Sequence, residues 1–131
     1  PALLAAAVIA APMVLADSAL AGAKANWKIG RVYNRLVCNA CHRQDGGKVV
    51  SPMARKKVEW RRYFEAGDHG TGGSANDSVH YYTSRAYRSA IKAENKAAAK
   101  FLKFPDAAMS AHVVEFYIHG AKDSDTPARC Q

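Results

Sequence analysis

Cysteine is scarce in this chain of 131 residues, where only Cys38, Cys41 and Cys130 occur. A cysteine-based zinc site needs further ligands at matching spacing, and Cys130 lies too far along the sequence to indicate one. A thioredoxin-like motif would be flanked by alternating strands and helices, and no such pattern surrounds Cys38. Cys130 is therefore expected to be a solvated thiol, with an intermolecular disulfide or a second-ligand role as alternatives.

Acidic residues are also few. The sequence has 11 Asp and Glu against 19 Lys and Arg, which gives a formal net charge of +8. Such a positive field steers a protein toward negatively charged partners and raises the association rate at low salt. Because no nucleic-acid recognition motif or aromatic–basic interleaving is present, the charge favours an acidic protein partner over nucleic acid.

The apolar run at residues 2–16 is shorter than the roughly 20 residues that a membrane-crossing helix requires. A longer span would carry Asp17 into the bilayer. The sequence Ala-Leu-Ala at 19–21 is typical of a signal-peptide cleavage site. Residues 1–23 are therefore predicted to be an export signal, with an N-terminal inner-membrane anchor as the alternative.

One motif dominates the rest of the chain: residues 38–42 are Cys-Asn-Ala-Cys-His. The pattern C-x-x-C-H is the attachment signature of a c-type haem. Each thiol adds to one vinyl group of the porphyrin, and the imidazole of His42 binds the iron. We therefore expect one covalent haem held by Cys38, Cys41 and His42. Haem attachment to this motif takes place outside the cytoplasm in bacteria, which agrees with a periplasmic location.

Residues 24–37 show the apolar spacing of a helix. Gly30 stands eight residues before Cys38, and the aromatic Tyr33 follows Gly30. In these features the chain resembles the class I c-type cytochromes, whose first helix carries a glycine and an aromatic residue ahead of C-x-x-C-H. Tyr33 stands one position earlier than the aromatic of that family. The resemblance implies a small all-α domain in which the C-terminal helix crosses the first helix closely at Gly30.

Pro52 lies ten residues after His42 and resembles the family proline whose carbonyl accepts a hydrogen bond from the haem histidine. Such a bond fixes the tautomer of the imidazole and makes it a stronger ligand. The alternative is an ordinary turn proline. Trp60 lies on a basic amphipathic helix predicted over residues 54–66 and is expected to pack on the haem or in the core.

The middle of the chain is longer than compact members of the family need. Glycines and small polar residues at 67–76 predict a loop. Residues 79–104 are predicted to form one long central helix or two short ones, ended by Pro105. Beyond the proline, Asp106 or Ser110 is expected to cap a final apolar helix.

The final helix is predicted to reach His119, with Gly120 as its C-terminal signal. The predicted domain organisation is then an export signal or anchor, a cytochrome c-like haem domain and a polar tail, at residues 1–23, 24–122 and 123–131.

The second axial ligand of the iron decides the chemistry. Met109 resembles the family methionine ligand, and a thioether raises the reduction potential; the alternative places Met109 on the apolar core stripe of the last helix. His80 is the next candidate and would give a lower-potential bis-histidine haem. His69, in the glycine-rich loop, and His112 and His119 are more typical of surface or core histidines.

These features predict a periplasmic c-type cytochrome that carries single electrons and has no enzymatic activity. Alternatives are a haem c subunit of a larger membrane-bound redox complex and, less favoured, a haem protein with an open iron site for gas or peroxide. Basic residues are candidates for docking an acidic redox partner near the haem edge: Lys48, Arg55, Lys56, Lys57, Arg61 and Arg62.

Overall fold

The computed structural model describes residues 24–44, 47–67, 69 and 78–128. The predicted export signal or anchor and Cys130 lie outside the described residues, as does most of the predicted glycine-rich loop. Throughout the described ranges the secondary structure is helical, without a strand. The predicted all-α class is therefore confirmed.

The first helical stretch runs without a break through three segments. Helix α1 spans Trp27–Tyr33, a π-helical turn spans Asn34–Cys38, and helix α2 spans Asn39–His42. The side chain of Asn26 caps the start, accepting a hydrogen bond from the backbone N–H of Lys28 at 2.9 Å. A π turn accommodates an extra residue. The π turn follows Tyr33 and includes Cys38, the first residue of the motif. Tyr33 stands one position earlier than the aromatic residue of the class I cytochromes, and the extra residue lies in this turn.

The last helix, α7 (Asp106–His119), crosses α1 at Gly30, as the resemblance implied. A Cβ atom added to Gly30 would lie 2.0 Å from the backbone oxygen of His112 and 2.9 Å from Cβ of Phe116. Only a residue without a side chain therefore permits this approach. The imidazole Nδ1 of His112 accepts a hydrogen bond from the backbone N–H of Asn26 at 2.9 Å, joining the two helices beside the crossing.

Helix α3 spans Lys57–Ala66, three residues shorter at its start than predicted. The difference arises because Pro52–Ala54 forms a separate 3-10 turn. The carboxylate of Glu59 accepts a hydrogen bond from the backbone N–H of Lys56 at 2.6 Å and fixes the first turn of α3. Gly67 ends the helix in the left-handed conformation, with φ of 66°.

The prediction of one long or two short central helices is wrong, because the segment forms three short ones. They are α4 (Val79–Tyr82), α5 (Arg85–Ile91) and α6 (Lys96–Lys100). Each is preceded by an N-cap residue whose side chain accepts a backbone hydrogen bond, namely Ser78, Ser84 and Asn95. Such capping residues favour new helix starts over continuation of a single helix.

Asp106 is the first residue of α7, and Pro105 occupies the capping position before it. Rather than capping α7, the carboxylate of Asp106 accepts a hydrogen bond from the backbone N–H of Arg85 at 2.6 Å. Helix α7 ends at His119 with Gly120 following, as predicted. The described part of the tail packs back on the domain, since the backbone N–H of Ala128 donates to the oxygen of Gly120 at 3.1 Å.

A buried arginine ties the central helices to α7. The guanidinium of Arg88 donates to the backbone oxygens of Phe101 and Phe104 and pairs with Asp106 at 3.1 Å. The apolar core that surrounds these elements contains Tyr33, Val37, Trp60, Phe64, Ala98, Phe101, Met109, Val113, Phe116, Tyr117, Ile118 and Ala121.

Candidate functional site

The three residues of the C-x-x-C-H motif line one cavity of about 600 Å³. Side chains three and four residues apart lie on the same face of a helix, so Cys38, Cys41 and His42 project together from the end of the first helical stretch. His42 is half-buried, whereas Cys41 is exposed. The volume is within the range of roughly 300 to 1,000 Å³ that is usual for cofactor and ligand sites.

Much of the cavity wall is apolar and aromatic. Helix α7 contributes Val113 and Tyr117. The hydroxyl of Tyr117 donates to Oδ1 of buried Asn34 at 2.7 Å, which fixes this wall against the π turn. The α3 and α4–α5 segments complete the lining with Trp60, Tyr63, Phe64, Val79, Tyr82, Thr83 and Tyr87.

Cys38 and Cys41 are not joined by a disulfide. Burial raises the pKa of the Cys38 thiol to about 12, with the neighbouring Cys41 adding to the effect. Redox and nucleophilic cysteines depend on a lowered pKa, because the thiolate is the reacting species. The environment of Cys38 thus argues against a thioredoxin-like or nucleophilic role for this thiol.

Trp60 is 2% exposed and lines the cavity, as expected for packing in the core or on a cofactor. Its indole N–H donates to the carbonyl oxygen of Pro52 at 2.7 Å. The resemblance assigned this carbonyl to the ring of His42, and between these two described residues the structure shows no hydrogen bond. Pro52 therefore positions Trp60 in the cavity wall.

Among the described residues, the cations Lys48 and Arg55 line the cavity. The guanidinium of Arg55 lies 5.6 Å from the ring centre of Trp60 and 5.4 Å from that of Tyr63, within cation–π range. Both cations are exposed, so the rim of the cavity carries positive charge while its interior is apolar.

Neither ligand candidate favoured by the sequence lies at this cavity. Met109 is fully buried in the core and is not among the lining residues. Its position matches the alternative prediction, in which it lies on the apolar core stripe of the last helix. His80 is exposed, and its Nδ1 shares a hydrogen bond with the hydroxyl of Ser110 at 2.6 Å.

A different histidine, His69, lies at the cavity. Its ring centre is 5.7 Å from that of His42, with the two ring planes at 76°. Its Nδ1 is 2.5 Å from the hydroxyl oxygen of Tyr63, and its ring packs against Tyr82 with centres 5.2 Å apart. The sequence analysis placed His69 behind Met109 and His80, as a typical surface or core histidine, because a histidine in a glycine-rich loop carries no periodic signal that would assign it to a face.

Comparison of the chain with protein-family models, curated proteins and solved structures finds no match in any of the three. Among the described residues, no group of three or more His, Cys, Asp or Glu side chains is arranged to hold a metal ion. No helix in the same part of the chain has the length and apolar character needed to cross a membrane.

Proposed function

We propose that the protein is a c-type cytochrome that carries single electrons through one covalently bound haem. The observation that carries the proposal is that Cys38, Cys41 and His42 line one largely apolar cavity. A haem needs few protein ligands because the porphyrin holds the iron, so a multi-residue metal cluster is not required. The residues present fit this cofactor in number, spacing and chemistry.

The chain contributes attachment, ligation and shielding. The thiols of Cys38 and Cys41 would form the two thioethers, and the imidazole of His42 would hold the iron on the attachment side. When bound, the haem supplies a one-electron couple between ferric and ferrous iron. The rigid aromatic wall, in which Trp60 is held by Pro52, would exclude water and favour the ferrous state.

Charged groups at the cavity rim support a role in docking. Lys48 and Arg55 are suited to pair with haem propionates at the rim. Of the other predicted docking residues, Lys56, Arg61 and Arg62 are exposed. With a net charge of +8, this surface is suited to steer an acidic redox protein toward the haem edge. A periplasmic location remains part of the proposal.

The test is expression of the full chain in a bacterial host that exports it and attaches haem. One haem that survives denaturing electrophoresis and a reversible one-electron couple are expected. Cys38→Ser combined with Cys41→Ser should remove the covalent haem. Cys130→Ser is the matched control and should keep it. Full export without any covalent haem would refute the proposed function.

A further inference from the structure

We infer that His69 is the second axial ligand of the iron, so that the haem is bis-histidine. This inference rests on the proposed function and deepens it. His69 and His42 both line the cavity that carries the attachment thiols. Neither Met109 nor His80 is among the lining residues.

The separation of the two imidazoles agrees with an axial pair. A metal–imidazole bond of about 2 Å, as in zinc sites, together with the radius of the ring puts each ring centre about 3 Å from a shared metal. Two such rings on opposite sides of one metal have centres about 6 Å apart. The ring centres of His42 and His69 are 5.7 Å apart.

A hydrogen bond from Nδ1–H of His69 to the hydroxyl of Tyr63 would fix the tautomer that leaves Nε2 for the iron. Metal-binding histidines usually donate their other ring N–H to a fixed partner, which orients the ring. The hydroxyl of Tyr63 lies 2.5 Å from Nδ1 of His69 and provides this partner. Tyr63 is itself in edge-to-face contact with Trp60, with ring centres 5.6 Å apart, so the pair is supported by the core. Nε2 is then the nitrogen assigned to the iron, and Tyr63 is a positioning residue.

A bis-histidine haem has a lower reduction potential than a His–Met haem. The wild-type protein is therefore expected to be low-spin in both oxidation states, without a sulfur-to-iron charge-transfer band. Ferrous protein is expected to bind carbon monoxide slowly or not at all, because both axial positions are filled.

The experiment compares His69→Ala with His80→Ala in the haem-loaded full chain. His69→Ala should become high-spin and bind carbon monoxide at least tenfold faster than wild type, whereas His80→Ala should stay low-spin. Added imidazole should restore the low-spin spectrum of His69→Ala, a rescue that a purely structural role would not give. Tyr63→Phe should keep the low-spin spectrum but raise the midpoint potential, since the ligand becomes less basic.

Covalent haem content, measured on the same samples, separates the two proposals. Absence of haem from the wild type refutes the proposed function. Two outcomes with normal haem content would overturn only the assignment of His69. One is a sulfur-to-iron band that Met109→Leu abolishes. The other is a spectrum that His69→Ala leaves unchanged. If His69→Ala fails to accumulate, His69→Met provides the second variant: a new sulfur-to-iron band and a higher potential are expected, and their absence overturns the assignment.

Discussion

The close crossing of α1 and α7 makes Gly30→Ala a sharp test of the fold. The added Cβ would lie 2.0 Å from the backbone oxygen of His112, whereas carbon–oxygen contacts are normally about 3.3 Å or longer. Because the obstacle is backbone rather than a flexible side chain, α7 must retreat by about 1.3 Å. A gap of about 1 Å forfeits up to about half of the dispersion energy between the atoms that separate.

The energetic balance is unfavourable for the variant. Overpacking of this kind costs about 1 to 3 kcal/mol, and rigid backbone obstacles belong at the upper end. Alanine gains about 1 kcal/mol over glycine within a helix, which leaves a net loss of about 2 kcal/mol. For a domain of about 100 to 130 residues, that loss lowers the Tm by about 7 to 10 °C.

Thermal and urea unfolding, followed by helical circular dichroism, would measure the loss. Arg31→Ala, on the exposed side of the same helix, is the matched control and should change the free energy of unfolding by no more than about 0.5 kcal/mol. A Gly30→Ala protein as stable as the parent would refute the close crossing, because the helix-propensity gain would then be unopposed.

Three further variants test other contacts. Arg88→Ala should destabilise strongly, because the buried carbonyl of Phe101 and the partly buried carbonyl of Phe104 each lose a donor, at up to about 1 to 3 kcal/mol. Asp106→Ala, whose side chain is 60% exposed, should cost under about 1 kcal/mol in the same urea titration. Burial lowers the pKa of His112, so the folded state binds fewer protons at this residue than the unfolded state. The protein therefore loses stability as the pH falls below about 6.5. His112→Gln should flatten that part of the stability–pH curve, and an unchanged slope would contradict this prediction. Trp60→Phe should lower stability by about 1 to 3 kcal/mol through loss of its indole hydrogen bond, and a near-neutral result would show that the bond contributes little.

The sequence was most informative where a local pattern coincides with the fold. The apolar spacing of the first and last helices predicts both helices. Pro105 and Gly120 mark the ends of helical segments, and Gly30 marks the helix crossing. The central segment was harder, because its alanine-rich stretches favour a helix while Ser84 and Asn95 can either start a helix or lie within one. In the structure the side chains of Ser84 and Asn95 accept cap hydrogen bonds, so both residues start new helices.

The candidate site divides in the same way. The C-x-x-C-H signature predicts from the sequence alone that the two thiols and the imidazole act together, and the helix that the structure shows at Asn39–His42 places them on one face. The sequence alone could not decide between Met109 and His69 as the second ligand candidate, because that choice depends on which distant segment packs beside the motif. Periodicity places Met109 on the buried stripe of α7, and only the packing of residue 69 against Tyr63 and Tyr82 brings its imidazole to the cavity.

The π turn at Asn34–Cys38 has a consequence for angular register. Successive residues of an α-helix are rotated by about 100°, so eight regular steps from Gly30 to Cys38 would separate their directions by about 80°. One residue absorbed in the π turn makes the path equivalent to seven steps, and the two directions then differ by only about 20°. Loss of a single codon within this turn, with conversion to regular α-helix, would therefore leave the attachment thiols in nearly the same direction relative to the crossing with α7, whereas a regular α-helix that kept all eight steps would swing them by about 100°.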